Sequence, residues 1–150
     1  MSLLLDTDIC SAYLKGDHRV GNRFMQYGGR LHVSAITAEE LFTWVSRAKA
    51  SPARLPGLLN LLRDMVFLDV DRTVSHKFGQ IRAQQLDQGL QTPEMDLLIA
   101  ATALVHGLTL VTHNVHDCAS NPRPERGGLA AFVGRVGWPR LRRHARHPSA

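Results

Sequence analysis

The chain has 150 residues, of which 44% are apolar and 21% charged, with a formal net charge of +5. This length and composition predict a single globular domain with its own core. No apolar run is long enough to span a bilayer, and no basic stretch precedes the apolar residues of the N-terminus, so we expect neither a membrane anchor nor a signal peptide. The only cysteines, Cys10 and Cys118, predict no disulfide framework and favour a reducing, cytoplasmic setting.

The positive charge is concentrated at the C-terminal end. Residues 121–150 hold seven Arg and one acid, which leaves 11 basic and 12 acidic residues in 1–120. Because that larger part has a balance of −1, the overall charge is no argument that the folded domain binds nucleic acid.

Two acids follow the first predicted strand. Residues 3–5 are all Leu, which favours a short buried strand, and Asp6, Thr7 and Asp8 come next. Capping of a following helix by Asp8 or Thr7 explains one acid but not both. Ligands of open α/β sheets lie beyond the carboxyl ends of the strands, so this turn is a candidate site.

The middle of the chain alternates between predicted strands and helices. We expect a helix over 17–27, strands over 31–34 and 65–68, and helices over 37–50 and 55–63. Thr37 and Glu40 have the spacing of a capping box, which by itself explains Glu40 structurally. Asp71 is predicted to cap a long helix that closes near Gly89.

The stretch from Thr92 to Asn114 combines a buried helix with a buried strand. Thr92 and Pro93 have the pattern of a helix start, and residues 95–105 are almost all apolar, which is typical of a helix enclosed on all sides. Gly107 is expected to end that helix before a strand over 108–112. An acid in such a helix, Asp96, is unusual, although an acid near a helix N-terminus also offsets the helix dipole.

This alternation predicts a parallel sheet with helices on both faces. Right-handed crossovers bring the carboxyl ends of the strands to one edge, and with them Asp6, Glu40 and Asp96. Each acid has a structural explanation of its own, but three acids at one edge favour a site.

Four sequence blocks in this order resemble the PIN-domain ribonucleases, and most closely the VapC-type toxins of bacterial toxin–antitoxin pairs. The blocks are LDTD at Asp6, SAITAEEL around Glu40, MDLLIAATAL from Asp96 and LVTHN ending at Asn114. The resemblance covers about residues 1–117. It implies a three-layer α/β sandwich around a parallel sheet of about five strands in the order 3-2-1-4-5. A fifth, edge strand over 130–136 fits that order.

The resemblance also implies the site and the reaction. By this resemblance the catalytic acids are Asp6, Glu40 and Asp96. The ligands of Mg²⁺, for which Mn²⁺ can substitute, are Asp6 and Asp96. Auxiliary positions are Asp8, Glu40, Asn114 and Asp117. The implied reaction is hydrolysis of structured RNA such as tRNA, and the implied partner is a VapB-like antitoxin, in a homodimer or a toxin–antitoxin hetero-oligomer.

The sequence departs from the family in its last part. The family often has Asp where this chain has Asn114, and Asp117 is a substitute three residues on, so a second metal is not assured. The span from Cys118 to Trp138 is also longer than the family pattern. We therefore expect a nuclease domain over 1–138, atypical after 117, and a basic, disordered tail over 139–150.

Two other functions are compatible with the residues. His113, His116 and Cys118 are close enough in sequence to suggest a zinc site, but no second ligand pair has zinc-ribbon spacing. A weakened acid set would instead leave a non-catalytic RNA- or protein-binding module. Metal-dependent cleavage of RNA separates that module from a nuclease.

The tail and one pair of helices are candidate binding surfaces. The tail is either a disordered solubilising end or an RNA-binding segment whose Arg140, Arg142, Arg143 and Arg146 contact phosphates. By resemblance, the antitoxin occupies a groove between the helices from residue 37 to 63. The side chains predicted to supply it are Leu41, Phe42, Val45, Leu58 and Leu62.

Overall fold

The computed structural model describes residues 2–112, which form four strands and six helices. In chain order these are β1 (Leu3–Leu5), α1 (Thr7–Leu14), α2 (His18–Gln26), β2 (Leu31–Ser34), α3 (Ala35–Ser46), α4 (Arg54–Arg63), β3 (Val66–Leu68), α5 (Arg72–Asp87), α6 (Glu94–Val105) and β4 (Thr109–Val111). The predicted alternation of strands and helices is confirmed.

The four strands form one parallel sheet in the order β3-β2-β1-β4. Leu5 at the end of β1 is in register with Val33 of β2 and Val111 of β4. The predicted order 3-2-1-4 is therefore confirmed for these strands, whereas the fifth strand predicted over 130–136 lies outside the described residues, as do both proposed domain boundaries. Because the strands are parallel, their carboxyl ends share one edge.

Successive Leu side chains of β1 enter two different cores, which makes the domain a three-layer sandwich. Leu3 and Leu5 pack with buried side chains of α1, α2, α3 and α4. Leu4 faces the other way and packs with Ile99 and Ala100 of α6, against which α5 packs in turn. The sheet is covered on both faces, which explains why its central strand is apolar throughout.

The start of α3 corrects the predicted capping box. Ser34, the last residue of β2, caps α3 by accepting a hydrogen bond from the Thr37 N–H at 3.1 Å. The chain turns directly from strand into helix, so the helix begins earlier than predicted. Glu40 thus lies in the second turn, too far along to reach back to the cap, and its structural explanation from sequence was wrong.

The caps of two other helices also differ from prediction. The cap of α1 is Asp6, which accepts from the Thr7 N–H, rather than Thr7 or Asp8. Thr92 does not cap α6, because the N-cap position is Pro93; the buried Thr92 hydroxyl accepts a hydrogen bond from Gln85 Nε2 at 2.6 Å. The predicted cap of α5 by Asp71 is confirmed, as is the positive φ of Gly107 after α6.

Only part of the predicted groove is open. Leu41, Val45 and Leu58 are buried in the core formed by α1–α4, so their assignment to a binding groove was wrong. They are buried because α3 and α4 pack on the sheet with these side chains inward. Phe42 is exposed and Leu62 is partly buried, so these two remain available for a groove.

The expectations of no membrane-spanning segment and of no disulfide framework can be examined in residues 2–112. Within this range no helix is long and apolar enough to cross a membrane. Cys10 carries a free thiol in the core, and burial raises its pKa well above the ordinary range. Cys118 lies outside the described range.

Candidate active site

The carboxyl edge of the sheet holds two polar residues side by side. Asp6 and Thr112 each follow the last residue of their strands, β1 and β4. The Asp6 N–H donates to the Val111 carbonyl at 2.9 Å, which extends the strand pairing by one residue. The sequence places both residues here because each ends an apolar run.

Asp6 is a partly buried carboxylate held by two donors. Its Oδ1 accepts the Thr7 N–H at 2.7 Å, and its carboxylate also has a side-chain hydrogen bond with Thr112. Burial raises the pKa of Asp6, the two hydrogen bonds lower it, and the negative charges of Asp8 and Asp96 raise it again. Its pKa stays above the ordinary value, which shows that desolvation and neighbouring acids outweigh the hydrogen bonds.

Glu40 reaches this edge from α3. Its Oε2 accepts a hydrogen bond from the Thr7 hydroxyl. Thr7 therefore connects two acids, because its N–H binds Asp6 and its Oγ1 binds Glu40. This contact replaces the capping role that the sequence suggested for Glu40.

Asp96 reaches the same edge from the opposite layer. It lies in the first turn of α6, which packs on the other face of the sheet from α1 and α4. Burial raises its pKa, and the charges of Glu40 and Asp8 raise it further. Asp6 and Glu40 thus each lie within electrostatic range of Asp96, and Asp8 lies within range of both Asp6 and Asp96. The catalytic and metal-binding roles of these acids stay predictions.

The donor chemistry of this edge fits a hard divalent cation. Carboxylates that raise one another's pKa are stabilised by a positive ion, and Mg²⁺ needs only one or two of them because it retains waters. Among residues 2–112, no three His, Cys, Asp or Glu side chains form a ready ligand set. The acids are neighbours without forming a compact cage, an arrangement that suits an ion which takes one or two carboxylates and keeps its waters.

Several predicted site residues lie outside residues 2–112. They are the auxiliary ligands Asn114 and Asp117, the zinc candidates His113, His116 and Cys118, and the tail residues Arg140, Arg142, Arg143 and Arg146. Their roles stay predictions.

The sequence interpretation missed the two hydroxyl residues of this edge. Thr7 was considered only as a cap and Thr112 only as a strand residue, yet both hydrogen-bond to the acids. A hydroxyl next to an acid at the end of a buried strand was the available signal. It is weak, because the same pattern is common in helix caps.

For the RNA cleavage that the resemblance implies, changing Thr7 to Val is expected to lower the rate by about 10- to 100-fold, part of the roughly 100- to 10,000-fold that a positioned general base contributes. Val has a similar shape but no hydroxyl, so Glu40 loses its donor while the helix remains. Thr7→Ser should restore most of the activity. Equal cleavage by the wild type and the Val variant, measured as kcat/KM, would show that the contact has no role in orienting Glu40.

Comparison with known proteins assigns the family. The model of the PIN domain matches residues 3–116, about three quarters of the chain. The chain belongs to the PIN-domain family. Ribonuclease VapC2 of Haemophilus influenzae is 30% identical over 118 residues, covering 78% of this chain and 89% of that protein. The tRNA(fMet)-specific endonuclease VapC of Shigella flexneri is 29% identical over the same length and shares of the two chains.

Solved structures agree with the fold of this PIN domain. The VapBC complex of Salmonella typhimurium bound to DNA contains a chain with a TM-score of 0.75 and 26% identity, covering 91% of this chain and 96% of that one. FitAcB of Neisseria gonorrhoeae gives a TM-score of 0.66 at 26% identity, covering 90% and 96%. The predicted resemblance to VapC-type PIN domains is therefore confirmed.

Proposed function

We propose that this PIN domain is a metal-dependent endoribonuclease and the toxin of a type II toxin–antitoxin pair. The observation that carries the proposal is the convergence of Asp6, Glu40 and Asp96 at the carboxyl edge of the sheet from three different elements. The names of the relatives, which are ribonucleases and a tRNA endonuclease, support it.

The electrostatics of this edge suit phosphodiester hydrolysis. Asp6 and Asp96 would hold Mg²⁺, or Mn²⁺ in its place, through hard carboxylate oxygens. When bound, the ion polarises the phosphodiester and lowers the pKa of a water. Without a cation, the clustered acids would repel an RNA phosphate, so the carboxylates of this chain require a counter-charge before they can accept substrate.

Glu40 is the acid best suited to orient a water. One of its oxygens is engaged by Thr7, which limits the rotation of the carboxylate. The side chain is only partly buried, so solvent reaches it. A carboxylate that is held in one orientation beside solvent has the properties of a general base.

The finer parts of the proposal follow the relatives. The substrate class is structured RNA such as tRNA, in line with the endonuclease of Shigella flexneri. The partner is a VapB-like antitoxin, in line with the complexes of Salmonella typhimurium and Neisseria gonorrhoeae, and the assembly is a homodimer or a hetero-oligomer with that partner. We place the activity in the cytoplasm, where such RNA is found.

The outer surface of α4 supports a protein partner. Leu55 and Leu59 are 45% and 48% exposed and lie one turn apart, and Leu62 continues the same stripe. They form an apolar stripe of the kind that binds a partner helix or peptide, and Phe42 of α3 is a further exposed apolar side chain. These residues replace the buried ones in the predicted groove.

Cleavage of bulk tRNA by the purified full chain tests the proposal. We expect discrete fragments with Mg²⁺ or Mn²⁺ and none when EDTA removes the metal. RNA binding without cleavage under any metal condition would contradict the nuclease and favour the non-catalytic module.

A further inference from the structure

We infer that Lys15 and Arg54, held over the ring of Trp44, form a binding site for an RNA phosphate at the opposite end of α1 from the acidic edge. The inference rests on the proposed nuclease function and names a substrate contact within it. The three residues come from the end of α1, the end of α3 and the start of α4. They are far apart in sequence, so only the fold brings them together.

Two cations are fixed on one aromatic ring. The Arg54 guanidinium carbon lies 4.3 Å from the centroid of the Trp44 ring, and the Lys15 Nζ lies 5.7 Å from it. Both distances are within the range of cation–π attraction. Trp44 itself is partly buried against the core formed by α1–α4, so the ring is a firm support.

The cations and the acids are connected by the contact between α1 and α3. Trp44 follows Glu40 by four residues on α3, which places both on the same helix face about 6 Å apart along the axis. Helices α1 and α3 are joined at one end by the contact of Thr7 with Glu40 and near the other by that of Lys15 with Trp44. Thr7 and Lys15 are eight residues apart on α1, so the boundary between these helices leads from the acidic edge to the cations over about 12 Å.

The charge in this region is not neutralised locally. Residues 41–63 contain four cations and no acid. Within residues 2–112, neither Lys15 nor Arg54 has a carboxylate within salt-bridge distance, since the single ion pair found there joins Arg19 and Asp17. A guanidinium stacked on a ring keeps its N–H groups at the edge, where they can bind phosphate oxygens.

An RNA phosphate fits this site better than a carboxylate of a protein partner. Cleavage at the acidic edge requires the polyanion to lie across that edge, so a phosphate farther along the strand can reach the cations. Phosphate contacts of this kind fix the register of a nucleic acid without reading its sequence. The cluster would hold the strand while the acids act on one bond.

The test compares steady-state cleavage of bulk tRNA by the full-length wild type, Lys15→Gln, Arg54→Gln and the double variant across a salt series. Loss of this one phosphate contact in the double variant should flatten the log–log salt dependence of 1/KM by up to about 0.7, and each single variant should flatten it by less. KM should rise at low salt, whereas kcat at saturation should stay unchanged. Arg63→Gln is the matched control, because it removes an exposed Arg from the other end of α4.

Three outcomes would overturn the inference. Salt slopes parallel to that of the wild type, with normal cleavage, would show that the cluster touches no phosphate. Weaker antitoxin binding with unchanged KM for RNA would assign the cluster to the protein partner. Absence of cleavage by the wild type itself, with either metal, would overturn the proposed function and this inference together.

Arg54→Lys, which keeps the charge but not the planar stack, should keep most of the salt slope.

Discussion

Asp96→Asn is expected to reduce RNA cleavage by about 100-fold or more while the fold remains intact. Residues that only orient metal ligands cost about 10- to 100-fold when they are changed, and a direct ligand should cost at least as much. Asn keeps the size of the side chain and removes the charge that would attract a cation. The measurement is kcat/KM for tRNA with saturating Mg²⁺, alongside a circular dichroism spectrum.

Glu94→Gln is the control for this substitution. Glu94 is exposed and lies in the same first turn of α6, so both variants remove one acid that offsets the helix dipole. Nearly full activity of Glu94→Gln with loss of activity in Asp96→Asn would assign the effect to the site. Equal activities of the two variants would contradict a direct role for Asp96.

The stability of the protein should respond to Asp96→Asn in opposite directions with and without metal. In the metal-free protein the pKa of Asp96 is raised, mainly by burial and then by Glu40 and Asp8. The folded state therefore binds more protons than the unfolded state, so stability falls as the pH rises from 3.8, the ordinary pKa of an Asp, through the folded pKa. At neutral pH Asn removes this penalty, and the melting temperature of the variant should exceed that of the wild type.

Saturating Mg²⁺ should reverse that order. A ligand at 100 times its Kd stabilises the native state by about 2.7 kcal/mol, which corresponds to about 5–10 °C for a domain of this size. The wild type should gain this increment, and Asp96→Asn should lose most of it. Melting curves in EDTA and in Mg²⁺, at pH 7 and near pH 4, provide the comparison, and the difference in EDTA should shrink at the lower pH.

If the melting temperatures of the wild type and Asp96→Asn differ by the same amount in EDTA and in Mg²⁺, Asp96 does not bind the metal in the way we expect. If the wild type gains nothing from Mg²⁺, Asp96 holds no metal. If the variant is less stable in EDTA at neutral pH, the carboxylate is stabilising in the apo protein, and the repulsion between the acids is too weak to matter.

The order of the elements could be predicted from the sequence because it depends on local patterns. Apolar runs such as residues 3–5 and 109–111 are too short for helices and have no polar alternation, which favours buried parallel strands. The positions of Asp6 and Asp96, one directly after a strand and one in the first turn of a buried helix, then followed from the right-handed crossover rule. The resemblance of four blocks to PIN domains agreed with this result.

The caps of α1, α3 and α6 could not be assigned from the sequence because several residues compete for each one. Ser34 and Thr37 both suit the start of α3, and the choice depends on how tightly the chain turns out of β2. Thr92 suits a cap equally well, but the buried amide of Gln85 needs a partner and takes its hydroxyl. These are differences of one hydrogen bond, which the tertiary packing decides.

The sequence by itself determined which residues end the strands, and so which acids reach the carboxyl edge. Only the tertiary structure decided what those acids contact: Thr7 binds both Asp6 and Glu40, and Trp44 holds Lys15 and Arg54. The physical reason is the separation in sequence of the residues that interact. Strand ends and helix periodicity depend on neighbours in sequence, whereas side-chain hydrogen bonds and cation–π contacts between α1, α3 and α4 depend on how the layers pack.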